Sequence, residues 1–571
     1  MKLYLLLFFI VSGLFLTSCG DGEIDPNTLV AEGGKKYGGE FKFMSSERIT
    51  SLLPTSAADH YTSRIVAQIY ESLLRLDPET MKTVPAVAES FIVSSDATIY
   101  TFKIRKGVIF HNDACFDGKN HELTAHDVKF SLELACSGLE ENRVSYLLTD
   151  RIKGAKEFSE KSKKSIPASG VSGISVIDDY TLQITLKNSF SGFESILTHP
   201  SLGIFPKEAY EKYGTAIGEH PVGSGPFALE SMSNDKIVLK RNNYYWRSDE
   251  FGNQLPFLSK VEVTYTENKR SELLAFRNAA ADLVLEVPVE EIEHIFGSLE
   301  EAQQGKNIKH KVESAAGMKM GYIAMALASN EFKDVRVRKA FNIAISRDYI
   351  VDNWLEGEGW AANNGFVPNM VNYPNEKVTG HKYNVNKAKS LMAQAGYPNG
   401  NGFPQLDLYV NAANGSIRHR LCQGVANQLK ENLNVTLNIK LCTIEERQEA
   451  VNKGIAKIWR AGWIADYPDA ENFLALFYSG NIANSTGMLN RFKYDNDAYD
   501  SIYEKAIAES DPEKRKELLV QCDQMVIDDA VLMPLVNDNL IVMVNARIRG
   551  FKVNSMESLN LTEVFIKEPK N

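Results

Sequence analysis

One short stretch of the sequence, WRAGWIADYPDAENF at residues 459–473, places a cation, an aromatic ring and a carboxylate close together. The Asp466 carboxylate is suited to an ammonium group, and the planar Arg460 guanidinium can bind a carboxylate through two parallel hydrogen bonds. A ligand that carries both charges needs both partners when it is enclosed, because a buried charge without a counter-charge is very costly. A structural interpretation is also open, in which Asp466 caps an Asp-Tyr-Pro turn and Trp463 belongs to the core.

A second group of side chains could in principle ligate a metal ion. It comprises His111, Cys115, His121 and His126. Zinc accepts such ligands, but their spacing matches no usual zinc pattern. The acidic run at residues 495–500 lacks the glycine and the terminal glutamate of an EF-hand calcium loop, so a solvated surface is the preferred interpretation. We therefore predict neither a metal site nor a cofactor.

Catalytic motifs are not found in the sequence. It contains no GxSxG nucleophile elbow, no HExxH zinc motif and no P-loop lysine motif. Gly223 and Gly225 in VGSGPF do not complete the phosphate-binding GxGxxG pattern, and we expect them to form a turn in which glycine allows positive φ. We therefore predict that the chain is not an enzyme.

The N-terminus is typical of an exported protein. Lys2 is followed by an apolar run at residues 3–16, which as a helix would span about 21 Å, less than the bilayer core of about 30 Å. This run fits a secretory signal peptide. Cys19 follows it directly in LTSCG, which resembles the lipobox of bacterial lipoproteins, so we expect residues 1–18 to be removed and Cys19 to carry lipid. A plain signal peptide with a chance cysteine is the alternative.

The remaining sequence is that of an ordinary folded chain. The hydrophobic fraction is 44%, the charged fraction is 24%, and the net charge is −10. This mild acidity argues against nucleic-acid binding, which needs clustered Lys and Arg. Residues 19–37, Gly-rich and polar after Cys19, are expected to form a flexible tether. Five other cysteines remain, and with no CxxC pair among them we predict no disulfide framework.

Strand-like and helix-like patterns alternate along the rest of the chain. Residues 98–104 and 180–186 alternate apolar and polar side chains as strands do, and residues 63–76 have helical spacing. Three later helices have clear start signals, namely Asp334, Asn384 or Asn386, and Asp511 followed by proline. The mixture predicts an α/β or α+β architecture.

Six stretches of the chain carry recognisable motifs. They are IYESLLRLDP at 69–78, the segment from YTFKIRKGVIFH to TAHDVKFSLE at 100–133, PVGSGPF at 221–227, VRVRKAFNIAISR at 335–347, KAKSLMAQAGYP at 387–398, and WRAGWIADYPDAENF at 459–473. These stretches resemble the oligopeptide- and dipeptide-binding branch of the solute-binding proteins of ABC importers. Their order and spacing cover almost all of the chain after the tether. An insertion containing Cys115 and His121 departs from the family pattern.

The resemblance implies an α/β, two-lobed periplasmic-binding-protein fold of type II with an extra subdomain. The chain would cross the hinge twice. The first lobe would comprise residues 38–315 and 541–571, with the extra subdomain at about 75–203, and the second lobe residues 316–540.

By the same resemblance, the chain would be a monomeric, lipid-anchored component of an ABC importer, exposed to the periplasm or the cell exterior, that closes its hinge around a short peptide. Asp466 would pair with the ligand ammonium, Trp463 would line a side-chain pocket, Arg460 could meet a ligand carboxylate, and Gly462 belongs to the same ligand-binding set. Alternatives within the fold are a nickel chelate, haem or an oligosaccharide as ligand, or a sensory surface lipoprotein without transport.

Overall fold

The computed structural model describes residues 31–266, 268–285, 287, 310–355, 359–370, 373–412, 414–482, 489–537 and 539–567. Within these ranges no helix combines the length and the apolar character needed to cross a membrane. Cys19 and the predicted signal peptide lie outside the described residues.

Within the described residues, the strands form three sheets and two small strand pairs. The first sheet has seven strands in the spatial order β12 (His310–Ala316), β19 (Asn539–Asn545), β11 (Leu283–Leu285), β1 (Glu40–Ser45), β10 (Lys260–Tyr265), β9 (Lys236–Arg241) and β8 (Phe227–Met232). The second has six strands in the order β14 (Trp360–Ala361), β18 (Leu532–Asn537), β13 (Lys319–Met325), β17 (Ile458–Ile464), β15 (Leu406–Asn411) and β16 (Leu437–Cys442). The small sheet contains β4 (Ala88–Val93), β5 (Ile99–Ile104), β7 (Thr181–Thr185) and β6 (Ile174–Asp178). The pairs are β2 (Leu74–Leu76) with β3 (Thr83–Pro85), and β20 (Ile548–Arg549) with β21 (Phe565–Ile566).

Helices surround these sheets. In chain order, α1 to α14 are His60–Ile69, Ala125–Ala135, Ala155–Lys161, Phe193–Ile196, Lys207–Tyr213, Lys269–Arg277, Val335–Ile343, Arg347–Trp354, Val385–Gln394, Ile417–Leu433, Ile444–Asn452, Ala470–Leu474, Asp497–Ala508 and Pro512–Asp528. Together with the sheets they confirm a mixed α/β architecture.

The chain passes twice between the first and second sheets. One passage joins β12 to β13, and the other joins β18 to β19. Because β12 pairs with β19 and β13 pairs with β18, the two passages run side by side. The second sheet is buried on both faces, with Trp459 and Ile458 of β17 packing in different hydrophobic clusters.

The helix starts predicted from capping residues are confirmed. Asp334 accepts a hydrogen bond from Arg336 N at the start of α7, and Asn384 accepts one from Lys387 N at the start of α9. Asp511 accepts bonds from the backbone of the first turn of α14, which opens with Pro512. Both predicted strands are also present, as β5 and β7.

The helix predicted over residues 63–76 is wrong at its C-terminal end. Helix α1 stops at Ile69, Tyr70 is extended, and the chain continues into β2. Gly223 and Gly225 explain the stop, because Gly225 N donates to the Ile69 carbonyl at 2.8 Å. A Cβ at Gly223 would lie 2.0 Å from that carbonyl oxygen. Neither glycine has positive φ, so the predicted positive-φ turn is wrong as well, and the glycines are needed for close backbone approach.

The tether predicted at residues 19–37 is too long at its C-terminal end. Lys35 Nζ lies 2.8 Å from the Asp249 carboxylate, and Glu32 N donates to the Asn253 side chain at 2.9 Å. Ala31 and Tyr37 pack in a cluster with Phe257. The described part of the predicted tether is therefore bound to the folded body by ion pairing and apolar contact.

Candidate ligand-binding site

Strand β17 carries three of the four predicted ligand-binding residues. Side chains alternate along a strand, so Trp463 lies on one face of the second sheet, and Arg460 and Gly462 lie on the other. A Cβ built at Gly462 would be 3.7 Å from Arg460 Nη2, which agrees with this assignment. The facing residue on β13 is Gly321, and its Cβ would also lie 3.7 Å from that nitrogen. The buried Arg460 side chain thus passes over a cross-strand pair of glycines.

Asp466 follows β17 directly and is joined to Trp463 through one amide. Trp463 Nε1 donates to Asn472 Oδ1 at 2.9 Å, and Asp466 N donates to the same oxygen at 3.1 Å. Asn472 Nδ2 in turn donates to Asp466 Oδ2 at 3.3 Å. Asn472 is itself buried on α12. The amide therefore fixes the direction of the Asp466 carboxylate and ties it to the indole.

The Asp466 carboxylate is only partly compensated. Burial raises its pKa to about 6, against hydrogen bonds from Asn472 and Tyr146 and the field of Arg151, which lower it. No salt bridge to Asp466 occurs among the described residues. A shielded carboxylate without a direct cation partner is suited to bind a cationic group, because such a group would restore the missing counter-charge.

The loop that carries Asp466 is fixed by a buried polar network. Arg151 Nη2 donates to Tyr467 Oη at 3.0 Å and to Glu471 Oε1 at 3.3 Å. The hydroxyls of Tyr467 and Tyr503 both donate to the Glu471 carboxylate. Next to it, Asp469 forms a bidentate pair with Arg515, with distances of 2.8 and 3.0 Å. These contacts restrict the position of the loop that carries Asp466.

Asp466 and Ala465 close one side of a cavity of about 200 Å³. The rest of its wall comes from the neighbourhood of the first sheet, chiefly α1 and the residues after it, Tyr245, Arg247 and the segment 556–562. Glu557 on this wall is paired with Arg64 at 3.4 Å and with Lys319. The cavity is therefore lined both by residues near the first sheet and by Ala465 and Asp466, which follow β17 of the second sheet.

The structure brings two of the four predicted site residues together. Asp466 lines the cavity, and Trp463 is joined to it through hydrogen bonds of Asn472. Arg460 and Gly462 lie on the other face of β17 and are not among the residues of this wall. Three further residues of the site could not be identified from the sequence. They are Tyr146, Arg75 and Arg247. They come from distant segments, and no local motif marks them.

The candidate metal ligands are dispersed. His111 is buried, with Nε2 at 3.0 Å from the Gly225 carbonyl, so it supports the glycine turn. His121 stacks on Phe116. It lies near Asp127 and Glu208, and the ligand atoms of these three residues are within 4.8 Å of one another. Asp127 already accepts bonds from the Thr124 backbone and hydroxyl as part of the α2 capping box. The five cysteines in the described part of the chain are free thiols.

Comparison with known proteins places the chain in a family. The family model for bacterial extracellular solute-binding proteins, family 5, matches residues 82–485. The glutathione-binding protein GsiB of Salmonella paratyphi A is 27% identical over 511 residues, covering 88% of this chain and 90% of that protein.

Two solved structures share the fold over almost the whole chain. The periplasmic binding protein DppA of Helicobacter pylori, in complex with the peptide STSA, has a TM-score of 0.74 and 25% identity, covering 93% of this chain and 99% of the other. The oligopeptide-binding protein OppAIV of Borrelia burgdorferi has a TM-score of 0.72 and 25% identity, covering 93% and 100%. The predicted two-lobed fold is confirmed, and the chain belongs to the bacterial extracellular solute-binding proteins of family 5.

Proposed function

We propose that this protein is the lipid-anchored, monomeric substrate-binding component of an ABC importer and that it captures short peptides without cleaving them. The observation that carries the proposal is the Asp466 carboxylate, which lies on a cavity wall without a cation partner and can receive a peptide's terminal ammonium group. The glutathione-binding relative and the peptide-bound solved structure support a peptide as the ligand class.

We further propose that the two lobes are residues 38–315 with 541–571 and residues 316–540, with an extra subdomain at about 75–203. The side-by-side passages at β12–β13 and β18–β19 support this division. Contacts between the proposed lobes include the Arg151–Glu471 pair and the bond from Ser191 N to the Ile507 carbonyl at 2.8 Å. A ligand that touches both lobes would stabilise such contacts, and closure would present the loaded form to the importer.

Replacing Asp466 by Ala tests the ammonium anchor. We expect the affinity for tri-alanine, measured by calorimetry, to fall at least tenfold, because the ligand ammonium loses its counter-charge, a change of about 1.4 kcal/mol. Asp407→Ala, which removes an exposed carboxylate from β15, serves as the matched control and should bind like the parent. Unchanged affinity in folded Asp466→Ala would contradict the anchor role.

The ligand class is tested with the unmodified protein. Native mass spectrometry of protein purified without denaturant should show co-purified short peptides, and peptides should return uncut after incubation. A thermal-shift panel of di- to pentapeptides, nickel chelates, haem and oligosaccharides compares the classes directly. A shift with one of the other classes and none with any peptide would refute the proposal.

Lipidation at Cys19 has a separate test. In cells fed a labelled fatty acid, the parent chain should incorporate label and partition into detergent. Cys19→Ser should do neither, because the thiol that would carry the lipid is gone. Cys115→Ser should keep the label, since Cys115 lies in the folded body. Labelled Cys19→Ser protein would show that the anchor lies elsewhere.

A further inference from the structure

Three arginines line the same cavity as Asp466, and the charges of two of them, Arg75 and Arg247, interact. Arg75, in β2, and Arg247, after β9, both line its wall on the side of the first sheet. The fields of the two groups act on each other, and the pKa of Arg75 is lowered by burial and then by Arg247. Two like charges are thus held close together beside an enclosed space.

Arg75 has unused hydrogen-bonding capacity. Its Nε is shielded from solvent without an acceptor, and its guanidinium forms no salt bridge or hydrogen bond with another described residue. Arg64, on the same wall, differs because its Nε donates to the Glu557 carbonyl at 3.1 Å and its Nη2 to the Glu557 carboxylate. A buried donor without an acceptor is unfavourable, and a ligand oxygen would remove this cost.

Glu71, a carboxylate on the same wall whose pKa is affected by Arg75, accepts no hydrogen bond from it. Glu71 accepts the Tyr245 hydroxyl at 2.9 Å on one oxygen and the Trp246 indole nitrogen on the other. Burial raises the pKa of Glu71, which lowers its capacity to act as a counter-ion. Arg247 has a partner in Glu563, at 3.5 Å, whose side chain is 45% exposed. Of the three arginines on the described wall, Arg75 thus keeps a shielded donor without an acceptor, and Arg247 adds to the positive field.

We propose that Arg75, supported by Arg247, binds the terminal carboxylate of the ligand. This proposal rests on the proposed peptide-binding function and specifies its substrate class. The two ends of the ligand would then be held by different lobes, the ammonium by Asp466 and the carboxylate by Arg75. Arg460, which the sequence suggested for the carboxylate, lies on the far face of β17.

The cavity also restricts the space available to the ligand. Its volume of about 200 Å³ is below the roughly 300–1,000 Å³ of pockets that enclose drug-sized ligands. Asp466 lies on one side of the cavity and Arg75 on the side of the first sheet, so a ligand held by both anchors must span the cavity. A short zwitterionic peptide, with an ammonium at one end and a carboxylate at the other, matches this pair of anchors.

The test compares three forms of one peptide by calorimetry: tri-alanine, its C-terminal amide and its N-acetyl derivative. The parent protein should bind the free peptide at least tenfold more tightly than either blocked form. Arg75→Gln should lose the preference for tri-alanine over its C-terminal amide. It should keep the preference for tri-alanine over the N-acetyl derivative. Arg336→Gln, which removes a surface arginine paired with Asp334, is the control and should keep both preferences.

The outcomes separate the two proposals. If the parent binds tri-alanine but Arg75→Gln retains its tenfold preference for the acid, the Arg75 assignment is wrong and the peptide-binding function stands. Loss of that preference in Arg460→Gln instead would place the carboxylate at Arg460. If the parent binds no form of the peptide, both proposals fail. Should Arg75→Gln not fold, Arg75→Lys takes its place, and its loss of bidentate geometry should still weaken the acid preference.

Discussion

The environment of Asp466 determines when its side chain is charged. Its hydrogen bonds from Asn472 and Tyr146 favour the carboxylate form, but burial opposes that form more strongly and brings the pKa to about 6. His199, on the same cavity wall, has a pKa lowered to about 4 by burial, so it remains neutral around pH 6. Asp466 is therefore one group on this wall whose charge is expected to change near pH 6.

Peptide affinity should consequently depend on pH. Between pH 7.5 and pH 5.0 Asp466 becomes protonated, and with a pKa of about 6 roughly one molecule in ten remains charged at pH 5.0, so the affinity for tri-alanine should fall about tenfold. Calorimetry at several pH values measures this decline. Asp466→Asn should show weak, nearly constant affinity over the same range. A parent profile that is flat from pH 7.5 to 5.0 would contradict the expected titration.

At the scale of single residues, the sequence was informative where all the residues of a contact lie within one motif. Asp466 and Trp463 stand three residues apart in the stretch that was singled out, and the structure joins them through Asn472 of that stretch. Tyr146 and Arg75 reach the site through tertiary folding from positions more than 300 residues away. Their spacing in sequence follows no helical or strand period that could have revealed them.

Among the elements, the junction between α1 and the glycine turn determines where the helix stops. The Ile69 carbonyl accepts the Gly225 amide, and His111 Nε2 lies 3.0 Å from the Gly225 carbonyl. Arg75 on the cavity wall comes soon after this junction. The glycines thus help to determine where the chain leaves α1 and enters β2, which carries Arg75.

Gly223→Ala should destabilise the protein. The new Cβ would lie 2.0 Å from the Ile69 carbonyl oxygen, which is backbone and cannot rotate away. We expect a loss of about 1–3 kcal/mol in the free energy of unfolding, as for other overpacked interiors, measured by urea denaturation. Gly462→Ala is the control, because its Cβ would find its nearest neighbour at 3.4 Å. Equal stability of the two variants would refute the close-approach explanation.

Helix starts were predictable from sequence, but the end of α1 was not. Asp334, Asn384 and Asp511 cap their helices through bonds within one turn, so the local sequence contains all the necessary information. The end of α1 depends instead on a turn more than 150 residues further on. Apolar spacing alone therefore extended the predicted helix into what the structure shows as β2.

For the whole molecule, the relation between its two halves depends on a few buried polar contacts. Arg151 reaches from the region of the small sheet to Tyr467 and Glu471, beside Asp466. Glu471 is almost fully buried, with 1% of its surface exposed. The position of the Asp466 loop thus depends on a cation from a distant part of the fold.

Arg151→Met should lower both stability and affinity. Without this cation the buried Glu471 charge keeps the tyrosine hydroxyls and the field of Arg515, and we expect the free energy of unfolding to fall by about 3 kcal/mol. The double variant Arg151→Met/Glu471→Gln should recover part of this loss, because it removes the uncompensated charge. Urea denaturation of both variants, with calorimetry of tri-alanine binding, measures these effects. A double variant no more stable than Arg151→Met would argue against a charge-based contribution.

The arrangement of the first sheet also has a consequence for the order in which the protein can fold. Strand β19 lies between β11 and β12 and pairs with both, although it is separated from them by the whole of the second sheet's sequence. During synthesis, β11 and β12 therefore wait for their common neighbour, and β13 and β14 of the second sheet likewise wait for β18, which ends at Asn537 just before β19 begins. Such distant pairing is slow, because loop-closure entropy is lost before the contacts form. Both sheets can thus be completed only when nearly all of the chain has been made.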